Sequence, residues 1–171
     1  PRIADHLLPL QRLMRKNIKF KWDEYCDNAF KNIQTLVNKQ PLLRHPDLSK
    51  QFYVVADASD HSVGAALMQQ YGDILEPVEY WSKSFQPSER HWPVAEKELA
   101  AIVWSLEKWS KYLLHQRFVV YTDHRNLETV YKKYKANTPM TDKLIRWLLR
   151  IEYFDFDCRY IKGILNHLAD G

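Results

Sequence analysis

Cysteine is scarce in this chain of 171 residues: there are two, Cys26 and Cys158, far apart and without a Cys-x-x-Cys or His-x-x-x-His companion. That pattern argues against a zinc site, suits a reducing compartment, and leaves the thiols to act as small buried hydrophobes. Long apolar runs are missing as well. None approaches the roughly 20 residues that cross a bilayer, and Pro1 cannot begin a native signal peptide, so the sequence reads as a soluble fragment without a membrane partner. Internal repeats and low-complexity segments are absent, and net charge is only +4. With 46% hydrophobic and 27% charged residues, the length supports one ordinary domain with a sizeable core plus an appendage.

The charge that is present is unevenly placed. Residues 1 to 50 hold ten Lys or Arg against five Asp or Glu, and residues 125 to 150 hold seven (Arg125, Lys132, Lys133, Lys135, Lys143, Arg146, Arg150) against Glu128 and Asp142. A basic run is ordinarily a solvated face; beside an acidic site it would favour phosphate. Organisation changes near residue 50. Before it, helical spacing predicts one helix over Ile3 to Met14 and another over Asp23 to Lys39. The second carries an apolar stripe of Tyr25, Cys26, Ala29, Phe30, Ile33, Leu36 and Val37, with Asp23 as its N-cap. Pro41 and Pro46 then enforce an extended connection.

After residue 50 the period switches. Phe52 to Ala58, Val63 to Gln69 and Leu75 to Ser82 read as a three-stranded antiparallel meander, with turns at Asp60-His-Ser62 and Tyr71-Gly-Asp73. Pro77 cannot donate to a ladder, which puts the third strand on an edge. A long helix over Val94 to Leu114 should bury Leu99, Ile102, Val103, Leu106, Trp109 and Leu113. A strand over Arg117 to Thr122, a short helix from about Arg125, a helix from Pro139 to Ile151 and a strand over Tyr153 to Ile161 complete the order. Trp81, Trp104, Trp109 and Trp147 fall at apolar-periodic or strand positions and are read as core. The crossover from the first to the fourth strand makes those two parallel neighbours.

That topology gives meaning to four acids. Asp57 and Asp123 close Phe52-Tyr-Val-Val-Ala-Asp57 and Phe118-Val-Val-Tyr-Thr-Asp123, at the carboxyl ends of parallel strands where open sheets place chemistry. Glu98 lies one turn after Val94 on the crossover helix and can face the sheet. Asp170 falls in a final short helix. Singly each has an ordinary explanation: an aspartate after a strand is commonly a turn former, and glutamates abound on helix surfaces. Together they would repel unless something offsets their charge and desolvation, and a divalent metal is the natural candidate.

Four segments also carry a family resemblance. Phe52-Tyr-Val-Val-Ala-Asp-Ala-Ser59, Ala95-Glu-Lys-Glu-Leu-Ala-Ala-Ile-Val-Trp104, Val120-Tyr-Thr-Asp-His-Arg-Asn-Leu127 and Asn166-His-Leu-Ala-Asp170 resemble, in order, the motifs of the ribonuclease H domain of gypsy-type LTR retrotransposon reverse transcriptases. The resemblance implies an α/β fold: a ribonuclease H-like five-stranded mixed sheet, the meander plus parallel strands, flanked by helices. Residues 51–171 would form that domain, short of its C-terminal end, and residues 1–50 a helical connecting segment that follows the polymerase thumb. It further implies hydrolysis of the RNA strand of an RNA/DNA hybrid with two Mg2+ ions, for which Mn2+ could substitute, about 4 Å apart. Asp57 would bridge the ions, with Glu98 and Asp123 on the leaving-group side and Asp170 on the side of the attacking water. The polymerase domain of the same polyprotein would be a partner, a homodimer through the full reverse transcriptase is compatible with it, and the setting would be a cytoplasmic virus-like particle or the nucleus.

Substrate contacts are expected from Ser59, Arg125 and Asn126 beside the acids and from Lys132, Lys133 and Lys135 along a basic edge. Hybrid selection should rest on shape and 2′-hydroxyls. The stretch Tyr160-Ile-Lys-Gly-Ile-Leu-Asn166 lacks the loop histidine of many ribonucleases H, and His124 and His167 are read as exposed or capping residues. A proofreading exonuclease of the same superfamily would need a second acid where Ser59 stands, and an integrase core would use three acids. The rival from another class is a catalytically silent, nucleic-acid-binding connection domain.

Overall fold

A computed structural model of the chain describes residues 3–39, 42–123 and 141–161. Two helices come first, α1 (Ile3–Arg12) and α2 (Glu24–Lys39), packed on each other. α1 stops short of the expected Met14. The chain tightens there into i→i+3 bonds, Leu13 N–H to the Leu10 carbonyl at 3.1 Å and Met14 N–H to that of Gln11 at 3.2 Å, and then reverses near Asn17 at a φ of 70°. Asparagine tolerates that left-handed conformation better than most residues do. Asp23 caps α2 as its position predicts, accepting the Cys26 N–H at 3.0 Å, and this bond holds its carboxyl below the usual aspartate range. The expected apolar stripe is narrower than its spacing suggests. Cys26 and Ala29 are buried, whereas Tyr25, Phe30 and Val37 are exposed, because the contact with α1 covers only one strip of the helix.

The extended connection runs along a sheet edge. The Arg44 N–H donates to the Pro77 carbonyl at 2.8 Å, and the buried Gln69 amide clasps the backbone of Asp47, accepting at 2.9 Å and donating at 2.7 Å. Five strands follow the order β3-β2-β1-β4-β5: β1 (Phe52–Ala58), β2 (Ser62–Tyr71), β3 (Ile74–Ser84), β4 (Phe118–Thr122) and β5 (Phe156–Tyr160). β1, β2 and β3 form the antiparallel meander, and β1, β4 and β5 run parallel. Gly72, at φ 62°, supplies the left-handed residue that the tight β2–β3 turn requires. Pro77 lies on the edge strand, beside a bulge opposite Leu67 and Met68, where its missing N–H breaks no ladder.

Strand alternation sorts the side chains. Phe52, Val54 and Ala56 of β1 join Phe118 and Val120 of β4 in the main core, while Val55 belongs to a second small cluster with Ala66 and Met68 on the opposite face. The main face is covered by α3 (Val94–Lys108) and α5 (Asp142–Ile151), which also touch each other. The six residues expected on the buried face of the crossover helix are all 3% exposed or less. The helix itself is not continuous. It breaks at Trp109, with φ −104° and ψ 19°, before a last turn, α4 (Ser110–Leu113). One turn earlier the Ser105 hydroxyl bonds back to the Ala101 carbonyl at 2.6 Å, a contact that bends helices. α5 begins at Asp142, because Thr141 is still extended, rather than at Pro139. Pro139 and the short helix expected from about Arg125 lie outside the described residues.

Candidate active site

β1 and β4 bring two of the acids together. Their parallel register pairs Val55 with Tyr121, so two residues further along Asp57 comes opposite Asp123, which directly follows the end of β4. α3 packs across β1 and delivers Glu98 from above, 5% exposed. One carboxylate oxygen from each of Asp57, Glu98 and Asp123 lies within 4.8 Å of the other two. Exposure rises from buried Glu98 through half-buried Asp57 to exposed Asp123, so the cluster opens to solvent on the β4 side.

Carboxylate oxygens are the hard donors that magnesium and manganese select, and three of them gathered from distant segments make a donor set that fits such an ion. Carboxylates this close repel one another, and a cation offsets that repulsion. Asp57, Glu98 and Asp123 would hold the metal. Asp170, the fourth acid expected here, lies outside the described residues, as do Arg125, Asn126, Lys132, Lys133 and Lys135 and both histidines, His124 and His167. Ser59 is described and lies at the site's margin, where it builds the β1–β2 turn. Its hydroxyl receives the Ser62 N–H at 3.0 Å and the His61 N–H at 3.2 Å.

Two residues at the site had not been singled out from the sequence. Gly64 of β2 sits directly across from Asp57 in the antiparallel register, and a Cβ there would meet nothing within 4 Å. Cross-strand partners share a face, so this glycine leaves open space beside the Asp57 carboxylate. A glycine inside a strand is the signal that could have revealed it. Lys97, one residue before Glu98, is 6% exposed and donates to Asp60 at 3.0 Å. The ammonium holds the Asp60 carboxyl below its usual range, first through that hydrogen bond and then through its charge. Lys97 and Glu98 line one cavity of about 390 Å3 with Ala58, Ser59, Asp60, His61 and Val94. Helical spacing alone leaves Lys97 on the margin of the sheet-facing stripe; it is the β1–β2 turn folding over it that buries it.

Comparison with known proteins bears on this geometry. Residues 22–120, more than half of the chain, match the model of the RNase H-like domain found in reverse transcriptase. The chain belongs to that family. This ribonuclease H-like domain is 35% identical over 167 residues to the retrovirus-related Pol polyprotein from transposon 412 of Drosophila melanogaster. The match takes in 98% of the chain but 13% of that polyprotein, so the chain spans only a small part of the relative's length. Among solved structures, the domain resembles the foamy viral protease–reverse transcriptase dRH in complex with double-stranded DNA, at TM-score 0.74 and 20% identity over 96% of this chain and 29% of that one. It also resembles the foamy viral protease–reverse transcriptase in complex with an RNA/DNA hybrid, at TM-score 0.69 and 20% identity over 94% of this chain and 22% of that one. At such identities the likeness is one of fold, and it agrees with the five-stranded mixed sheet expected from the sequence.

Proposed function

We propose that this domain is the ribonuclease H of a retrotransposon Pol polyprotein, an endonuclease that hydrolyses the RNA strand of RNA/DNA hybrids with the help of divalent metal ions. The observation that carries the reading is the convergence of Asp57, Glu98 and Asp123, each from a different element, to within 4.8 Å. Asp170 is the proposed fourth member. A bound magnesium pair would supply charge to polarise the scissile phosphate, lower the pKa of water and stabilise the leaving oxygen. The chain's own residues would orient. Asp57 is fixed by the ladder it shares with β2, Glu98 by its burial on α3 where that helix packs on the sheet, and Asp123 by the end of β4, so their oxygens are placed before substrate arrives. Ser59, Arg125, Asn126, Lys132, Lys133 and Lys135 are the proposed contacts to sugar and phosphate. The polymerase domain of the same polyprotein would hand over the hybrid.

The test is incubation of this chain with a hybrid labelled on its RNA strand, in magnesium, in chelator, and with Asp123→Asn. The expected result is RNA cleavage in magnesium that chelation and the substitution both abolish. Cleavage that survives either one would refute the metal-carboxylate reading. Binding of the hybrid without any cleavage would replace the nuclease with a nucleic-acid-binding scaffold.

A further inference from the structure

We infer that Lys97 is a substrate-contacting residue, whose ammonium in the cavity beside Glu98 receives a phosphodiester oxygen next along the strand from the one held at the carboxylates. The inference rests on the reading that an RNA/DNA hybrid is the substrate. Its basis is an asymmetry in the Lys97–Asp60 pair: the lysine side chain is 7% exposed and that of its aspartate partner 84%. Enclosing an ammonium costs several kcal/mol, and a carboxylate standing in water offsets little of that. The pair is therefore poorly explained as a stability device. An ammonium has three donors, and the Asp60 Oδ1 engages one of them.

The surroundings are of mixed sign, with the Lys97 ammonium set between the Asp60 and Glu98 carboxylates. The cavity of about 390 Å3 is walled by the β1–β2 turn on one side and the start of α3 on the other, and Glu98 lines it too, so it opens on the carboxylate cluster. α3 begins at Val94 behind Pro93 without a side-chain cap, and Val94 lines the cavity, so the positive end of the helix dipole lies at that wall. A polyanion whose scissile phosphate is brought to cations held by Asp57, Glu98 and Asp123 must bring its neighbouring phosphates past carboxylates of like charge. A cation one residue from Glu98 counters that repulsion where it is greatest. In the substrate-free domain Asp60 tethers the lysine, and the arriving phosphate competes with it.

The test measures binding of the whole 171-residue chain to a fluorescently labelled RNA/DNA hybrid by anisotropy, at a fixed calcium concentration that keeps a divalent cation on the carboxylates, over a series of salt concentrations. Lys97→Met is expected to weaken binding about fivefold near 0.1 M salt and to reduce the slope of log K against log[salt] by about 0.9, the signature of one lost phosphate contact. Lys97→Arg is expected to restore both, and Asp60→Asn to bind as tightly as the unaltered chain or more so. Equal weakening by Lys97→Met and Asp60→Asn with an unchanged slope would overturn the inference and leave the pair as a strut. So would a hybrid that does not bind at all. Should Lys97→Met fail to fold, Asp60→Asn still decides, since a strut predicts loss and a competing tether does not. Cleavage by the unaltered chain in magnesium is read separately. A Lys97-dependent slope without cleavage sinks the nuclease and keeps the contact; cleavage with an unaffected slope does the reverse.

Discussion

Glu98→Gln should stabilise this domain in chelator while removing its response to magnesium. Two like charges at 4.8 Å, the outer bound of the spacing here, repel by about 3.5 kcal/mol at an effective dielectric near 20 and by about 0.9 kcal/mol in bulk water. Glu98 has two such neighbours, but Asp123 is exposed and Asp57 half-buried, so the solvated end of that range applies. Neutralising Glu98 is therefore expected to raise stability by about 1–2 kcal/mol, or roughly 3–6 °C in Tm for a domain of this size. Magnesium at about one hundred times its Kd would stabilise the unaltered domain by about 2.7 kcal/mol, and the variant by much less. The two proteins should thus exchange order: the variant melts higher in chelator, and the unaltered chain overtakes it as magnesium is titrated. Thermal melts over a magnesium series read both effects without any reference to catalysis. A variant that melts below the unaltered chain in chelator, or one that magnesium stabilises equally, would refute the idea that these three carboxylates form a strained cation site.

Other perturbations separate packing from function. Gly64→Val should leave the fold intact or strengthen it by up to about 1 kcal/mol through strand propensity, yet reduce hybrid cleavage, because its side chain would stand in the open space beside Asp57; urea melts and cleavage rates should move in opposite directions. Trp109 is fully buried, and its indole N–H has no partner among the described residues. Trp109→Phe should then change stability by no more than about 1 kcal/mol, as loss of an unsatisfied donor offsets the lost volume, whereas Trp109→Ala should cost about 3–5 kcal/mol. Asp23 has a lowered pKa in the folded state, so its contribution is fully present above the unfolded value near 3.9 and is lost as pH falls through the folded value. Asp23→Ala should consequently be less stable at neutral pH and converge on the unaltered chain below that window, as followed by urea midpoints from neutral pH into the acid range.

Much of the architecture was legible because periodicity is a local property that burial makes strict. Phe52, Val54 and Ala56 had to share a face once β1 was a strand, and six apolar positions at helical spacing after Val94 had to share another. The β-α-β crossover then brought Asp57 beside Asp123 without further information. Where the pattern ran ahead of the structure, the missing quantity was the extent of the partner surface. Tyr25, Phe30 and Val37 have the right spacing for burial in α2, but spacing cannot say how wide a neighbour is. The break at Trp109 escaped for a related reason: the burial of Trp109 and Leu113 is satisfied equally by a straight helix and by a bent one.

The site divides along the same line. Its acids could be read because metal ligation demands a residue type, and that demand survives in one dimension. Lys97 and Gly64 could not be read with equal force, since what they do depends on what lies opposite. A lysine in Ala95-Glu-Lys-Glu98 looks like part of a charged helix face until the β1–β2 turn is folded over it, and Gly64 looks like a weak strand residue until the register sets it against Asp57. Both features lie on one side of the cluster, against the meander, while exposed Asp123 faces the other. The open space beside Gly64 and the cavity that holds Lys97 are both built from elements N-terminal to β4, whereas the cluster opens to solvent on the β4 side. Strand positioning is therefore expected to respond to changes at Gly64 and Lys97 while the β1–β4 pairing that assembles the acids stays intact. A variant of either residue should then keep its magnesium-dependent rise in Tm while losing hybrid affinity or cleavage.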